Sequence, residues 1–588
     1  MFHHQLFRLL AFLCCLLGCA LCVLGMIAQQ PPGDAVRYPI SGSGSGGAYG
    51  PSILHSFSDL PSPSAQDEAV AAQRARLIES LAEKQAGVLS RANQAVIPPW
   101  SRQVQSSDSE FIEGGDSASS NNAAAATPAP TVSNGFSGPS TLDVSGATNG
   151  SVIFGPEGDG FWRVHSMSGT VLKETTDNDF WCSGTNPLPV CSGGGFSGDS
   201  RVQYDTGSKR WIASGFWVFG SNSVAQDVLA VSQTSDPTQG WNRYQVPGCG
   251  GFDTWDAGDQ PHTGFNSKWI VVTLACSCSS SSSGACRSGD VNGAGLAVFD
   301  KSNLYAGGAL TLNQNWFEFV DPFSGGPYSG IGGGDGTRDH PVNTYASTGR
   351  EYLVTSTNNT PSNTGNAGVI YSYVAGSTDS PTFHSAALTV NTSFSAIDMF
   401  GVAVDAPGCT NCISAFSNNW IHSAGTWNWK DGLPRVVSTM VMGQPGFSRG
   451  ATQVINVAMK IADGTSTALR ISKNAAGSGP LASEIGMPLG GTSTINEALI
   501  AYDYSNSSFY PGIRMATWNL DNNTIISTSV LKQGVLTPNN GDQNRWTDFM
   551  NALTPIPGKG SFVVGGTVAR PTPNNDPQRK TFWATVTP

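Results

Sequence analysis

The sequence predicts an all-β fold, a single β-propeller of seven blades carried behind a short helix and flexible linkers. Three observations lead there. Charged residues make up only 12% of the 588, against roughly 25% in an average soluble domain. The 70 glycines and 15 tryptophans suit many short strands joined by tight turns. From about Gly138 to Pro588 there is no long amphipathic helix pattern, and one hairpin-like phrase recurs.

The phrase reads "GDSRVQYDTGSKRWIASGFW" at Gly198–Trp217, "GDQPHTGFNSKWIVVTL" at Gly258–Leu274 and "RDHPVNTYASTGREYLVTST" at Arg338–Thr357. In each, an Asp opens the unit, an aromatic follows five or six residues later, and a basic residue stands just ahead of an aromatic. In the first, Val202 and Tyr204 alternate with polar neighbours, "DTGSK" breaks the run, and a second apolar run follows. That is hairpin chemistry.

The chain opens with a single Arg ahead of 20 apolar residues, Leu9–Ala28. An apolar region of that length serves either as a cleaved signal peptide or as an uncleaved anchor, so residues 1–28 are assigned to export. The bulk of the chain is expected outside the cytoplasm, secreted or at the cell surface, touching a membrane only through this segment. Residues 29–62, with "SGSGSGG", read as a flexible tether. Residues 63–97 are rich in Ala, Glu, Gln, Leu and Arg without an internal Pro until "PP" closes the stretch, and read as a helix. Residues 98–137 read as a low-complexity linker, and 138–588 as the propeller.

Cysteine usage fits export. Four of the 12 Cys lie in the apolar segment, which leaves an even set of eight; such a set favours disulfides in an oxidising space. Cys182 with Cys191, flanking a Pro-rich loop, and Cys409 with Cys412 in "CTNC" are the expected pairs. The partners of Cys249, Cys276, Cys278 and Cys286 stay open. A net charge of −11 without a long basic run argues against nucleic-acid binding, which needs Lys and Arg on phosphates.

Strand-rich chains hide their edges by closing a barrel, stacking two sheets or repeating blades around an axis. A body of about 450 residues without an internal linker is oversized for a sandwich. The repeat Asp residues, at 199, 259 and 339, are 60 and 80 residues apart, and the longer gap holds the insertion "PFSGGPYSGIGGGDG". Weaker units flank these three, from "GSVIFGPEGDGFWRVHS" at Gly150 to "GDQNRWTDF" at Gly541. The order of "GFWRVHSMSGTVL", "GDSRVQYDTGSKRW", "AVSQTSDPTQGWNRYQV", "GAGLAVFDKSNLYAG" and "NRWTDF" resembles a family of exported, mostly uncharacterised bacterial-type propeller proteins of the sialidase-like superfamily. Their usual phrases are G-D-P-x-V-x-Y-D-x-x-x-x-R-W and a late R-W-G-D-Y. This chain has Ser200 in place of the Pro, and Thr547 and Phe549 within the late phrase. The resemblance implies the fold and little about activity.

In a propeller, the repeat Asp residues would open the innermost strand of successive blades. Asp199, Asp259 and Asp339, with His340, Arg545 and Asp548, are therefore expected around one mouth of the channel. There they would bind sugar hydroxyls or, as the one cofactor the pattern admits, Ca²⁺, which needs several oxygen ligands together. The competing reading makes each Asp a turn cap, and Trp211, Trp269 and Trp546 packing between sheets. His262 and His340 near the repeat Asp residues are candidate general bases or satisfied turn residues. "GSGSG" at Gly42–Gly46 fits a nucleophile elbow but lacks the strand–turn–helix setting that exposes one. The expected function is a monomeric, secreted or surface-tethered propeller that binds an extracellular polysaccharide without chemistry. The alternative is a glycan-cleaving hydrolase or lyase with its site at the channel mouth.

Overall fold

The computed structural model describes residues 51–64, 67, 101–113, 129–138 and, apart from short internal stretches, 144–588. The longest stretches outside it are 247–256, 278–291, 319–339 and 538–551, within which Trp546 is described. The fold is an all-β propeller. Its helical pieces are short, such as Asp177–Cys182 and Lys301–Tyr305.

The expected hairpin at Gly198 is present. Strands Phe196–Asp205 and Arg210–Val218 pair antiparallel with Tyr204 opposite Trp211. Asp205 sets the turn by accepting N–H bonds from Gly207 (3.0 Å) and Ser208 (3.1 Å), and Lys209 takes the left-handed conformation at φ +55°. Val202, Tyr204 and Trp211 then point into one apolar cluster with Phe154, Trp162 and Trp241. The second phrase repeats the device. Asn266 accepts from the N–H groups of Lys268 and Trp269, joining Ala257–Phe265 to Trp269–Ser277. Among the described residues, nine tryptophans are fully buried. Burying a large apolar side chain is worth about 1.5–3 kcal/mol, so these rings between sheets supply much of what holds the ring of sheets together.

Among the described residues, five sheets of four or five strands, antiparallel except for the edge strand Arg102–Gln105, stand separately as blades, not the seven expected. They span residues 147–176, 196–246, 340–396, 479–532 and 552–587. Two further four-stranded runs, 257–318 and 421–472, are fused into a single ten-stranded sheet. The cause is the two-residue strand Asn343–Thr344, which bridges Phe265 on one side and Gly425 on the other by parallel pairing.

Parts of the segments whose composition suggests tether and linker are strands on the rim. Ser52–Leu54 adds to Trp241–Val246, Arg102–Gln105 to Ser380–Ala396, Ser107–Ile112 to Ser466–Ser472, and Thr131–Ser137 to Arg579–Thr587. Two buried polar anchors fasten this belt. Arg243 donates to Ser52 Oγ at 2.8 Å and to the Ser183 carbonyl. Glu113 accepts from Arg514 Nη1 at 3.1 Å and from the Tyr502 hydroxyl. The helix expected over 63–97 lies outside the described residues except at its start, where Ser64 and Asp67 bond each other reciprocally as an N-terminal cap.

The first and last blades meet at Glu157. Its carboxylate accepts from Arg163 Nη1 and Trp583 Nε1, each at 3.0 Å, and His165 Nε2 lies 3.0 Å from the same group. Trp583 belongs to Arg579–Thr587, the last strand of the chain. Cys182 and Cys191 are bonded, as are Cys409 and Cys412 on the hairpin Ala403–Ala406/Cys409–Ser414.

Candidate functional site

The inner strands surround a pocket that is more polar than apolar. Inner strands of six sheets contribute to it. Ser145 comes from just before the first blade, Ser200, Arg201, Gln203 and Tyr204 from the second, His340, Asn343 and Tyr345 from the middle of the chain, and Ser423, Glu484 and Thr554 from the last three inner strands. In Phe196–Asp205, the partly buried Arg201 and Gln203 alternate with the fully withdrawn Val202 and Tyr204, and all four border the pocket.

Glu484 is the carboxyl group of this pocket. It sits in Gly479–Gly486, a strand otherwise made of small and apolar residues, and keeps part of its surface on the pocket. Burial pushes its pKa up to about 8, although a hydrogen bond with Ser423 and the charge of Arg201 pull the other way. At neutral pH it is therefore mostly a carboxylic acid, able to donate a proton.

His340 lies beside the pocket with Nδ1 2.8 Å from the Pro341 carbonyl. Its ring centroid is 4.7 Å from that of His262, the planes inclined at 56°. Both rings are buried. Gln203 reaches across to the next inner strand and donates from Nε2 to the Thr263 carbonyl, while Thr263 Oγ1 donates to Ser214 Oγ at 2.7 Å. These polar links tie neighbouring inner strands together around the pocket.

Of the residues singled out in the sequence, Asp199 lies at a bulge of its inner strand. It has φ +46°, in the left-handed region that Asp tolerates better than most residues. The pairing shifts from Gly198↔Phe216 to Arg201↔Ser214 around it. Asp259 stands at the matching place, opposite Ala275, and the register shifts before His262↔Thr273. Bulges re-aim the side chains that follow, and here Ser200 and Arg201 follow into the pocket. Asp339, Arg545 and Asp548 lie outside the described residues. Among the described residues no group of three or more His, Cys, Asp or Glu is placed to hold a metal ion.

Glu484 and Ser423 escape sequence reasoning. The available signal is a single Glu inside the apolar run "PLASEIGM", where an uncompensated charge needs a reason.

No protein-family model matches the chain, and no curated protein matches it in sequence. Among solved structures, the chain is similar to the Hadza microbial sialidase Hz136, with a TM-score of 0.35, 10% identity and 74% of each chain covered. It is also similar to the Dos1 propeller, with a TM-score of 0.31, 10% identity and coverage of 76% of this chain and 78% of that one. The Penicillium chrysogenum α-L-arabinanase complexed with arabinobiose aligns with a TM-score of 0.33 and 11% identity, over 67% of this chain and 100% of the other.

Proposed function

We propose that this protein is a glycan-cleaving hydrolase whose site is the central pocket, with Glu484 as its proton donor. One observation carries the reading. A polar pocket lined by residues from the first, second and later inner strands contains a carboxyl group whose pKa is pushed up to about 8. Ser145, Ser200, Gln203, Asn343, Ser423 and Thr554 offer hydrogen-bonding groups around it, as a polyhydroxylated ligand requires. A carboxyl that holds its proton at neutral pH can give it to the oxygen of a leaving sugar. Arg201 supplies a positive charge in the same pocket and favours the carboxylate left after that transfer.

The residues 257–318 and 421–472 each bring their own inner strand, Ala257–Phe265 and Ile421–Asn428. On this reading seven inner strands surround the axis, Ala257–Phe265 being the one that places no described residue on the pocket. We further propose that the chain works outside the cytoplasm, a reading supported by the apolar Leu9–Ala28 and the bonded cysteine pairs.

A second reading, binding without cleavage, is favoured by one fact. Glu484 is the one carboxyl among the described lining residues, whereas glycoside hydrolysis commonly uses two. The test is a screen of neutral and acidic polysaccharides for new reducing ends, run beside a binding assay on wild type and Glu484→Gln. Cleavage by wild type that Glu484→Gln lowers about 10²–10⁴-fold, with binding retained, supports the hydrolase. Binding without cleavage by either protein supports the second reading. Neither binding nor cleavage would sink both.

A further inference from the structure

Two features of the central pocket have no role in the proton donation proposed above. The first is Tyr345, which lines the pocket and is only partly buried. Trp427 stacks behind it, with ring centroids 5.5 Å apart and planes at 28°, and Phe265 meets it edge-on at 5.9 Å and 90°. Its backbone N–H donates to the Thr426 carbonyl at 2.8 Å.

The neighbourhood is fixed from below by buried polar pairs. Thr344 Oγ1 donates to Glu351 Oε2 at 3.3 Å, and Asp205 Oδ2 accepts from Lys301 Nζ at 2.8 Å and from the Tyr305 hydroxyl at 3.0 Å. A ring held between Trp427 and Phe265 has little freedom to turn. It presents what remains of its surface to the pocket in a set orientation, the preorganisation that binding sites need.

The second feature is a pair of acceptors on the same lining. Gln203 Oε1 and Asn343 Oδ1 are buried and have no hydrogen-bond partner among the described residues. A buried acceptor left unbonded costs free energy, which a donor arriving with a ligand would recover. An aromatic face beside unfilled acceptors calls for a molecule that is apolar on one side and carries hydroxyl donors at its rim. A pyranose ring is such a molecule.

We propose that Tyr345 is the platform on which a pyranose ring of the ligand stacks by its C–H face, with hydroxyls donated to Gln203 Oε1 and Asn343 Oδ1. This rests on the reading of the pocket as a glycan site. It adds that the ring itself, and not merely a set of hydroxyls, is recognised. An open-chain polyol has the hydroxyls but lacks the face, and it is excluded.

The experiment is calorimetric titration of the full-length protein with gluco-, galacto-, manno- and xylo-oligosaccharides, neutral and uronate-bearing, and with sorbitol. The variants are Tyr345→Ala, Tyr345→Phe and Tyr345→Trp, with folding checked by thermal melting. Wild type is expected to bind at least one oligosaccharide and not sorbitol. Tyr345→Ala should weaken that binding about tenfold or more, as loss of a central aromatic anchor does, while Phe and Trp restore it. If wild type binds and Tyr345→Ala binds equally well, or if sorbitol competes, the platform is overturned while the glycan pocket stands. If wild type binds none of the oligosaccharides, both fall.

Discussion

Glu157 and Glu484 are both withdrawn into the protein, and they end in opposite protonation states. Burial pushes the pKa of each upward. At Glu157 that push is overcome by His165, Arg163 and Trp583, whose bonds hold the carboxyl below its ordinary value. At Glu484 the opposition is weaker, one hydroxyl from Ser423 and the more diffuse attraction of Arg201, and the pKa stays at about 8. Glu157 joins the first blade to the last, whereas Glu484 faces open space. A carboxyl surrounded by donors is a structural tie. One with a single donor and a pocket beside it keeps a proton to give.

The strongest test of that contrast is to remove each charge in turn. Glu484→Gln should abolish most of the cleavage proposed for the pocket, by about 10²–10⁴-fold, while the melting temperature holds at acid pH and rises toward neutral pH. Glu157→Gln should do the reverse. It removes the Glu157 charge that Arg163 pairs with, Glu174 being another partner, and turns an acceptor of three bonds into a neutral amide. Breaking a buried ion pair costs about 3–5 kcal/mol, so a large drop in melting temperature is expected. Equal effects of the two variants on stability would break the contrast.

pH offers the next test, and the signs are opposite. Glu157 has a lowered folded-state pKa, so its contribution is fully present above its ordinary value near 4.5 and is lost as pH falls through the lower folded value. Glu484 has a raised one, so the folded state holds a proton that the unfolded chain has released between about 4.5 and 8, and stability falls as pH rises across that window. Melting temperatures between pH 3 and 9 (~) check both. Glu157→Gln should flatten the acid side, and Glu484→Gln should remove the decline toward neutral pH.

The two glutamates also show what could be read in the sequence. The strands are legible because they alternate: Val202, Tyr204 and Trp211 turn to one side and meet in one cluster. The recurring Asp is legible as a repeat. Its position at a bulge is not, because a bulge depends on the partner strand, as in the shift around Ser214 and Phe216. The blade count is obscured by Asn343–Thr344, two residues that fuse two runs of strands into one sheet. The rim strands are hidden for a different reason. "TVSNGFS" lies on an outer edge, mostly exposed, so it carries no apolar alternation to betray it. Glu484 is invisible because its chemistry is set by Ser423 and Arg201, which lie 61 and 283 residues away in the chain (484 − 423 and 484 − 201).

The smallest expected effect asks whether the number of donors, rather than burial alone, sets the state of Glu484. Ser423→Ala removes the hydroxyl bonded to it and leaves the pocket nearly unchanged in shape. Ser423 Oγ also donates to the Ile485 carbonyl at 3.3 Å, a long bond whose loss costs about 0.5–1.5 kcal/mol at most. The fold should therefore survive. Ser423 lowers the pKa of Glu484, so its removal must raise that pKa further, and the alkaline limb of the pH–rate profile should move to higher pH. Because that limb reports the free protein's acid in kcat/KM, the shift should appear there with little change in the rate at neutral pH, where the acid already holds its proton. A limb that moves to lower pH would mean that the Ser423 hydroxyl accepts from the protonated Glu484 instead of donating to its carboxylate. One that stays in place would mean that burial alone holds the proton, and that the donor count separating Glu157 from Glu484 is not the cause of their difference.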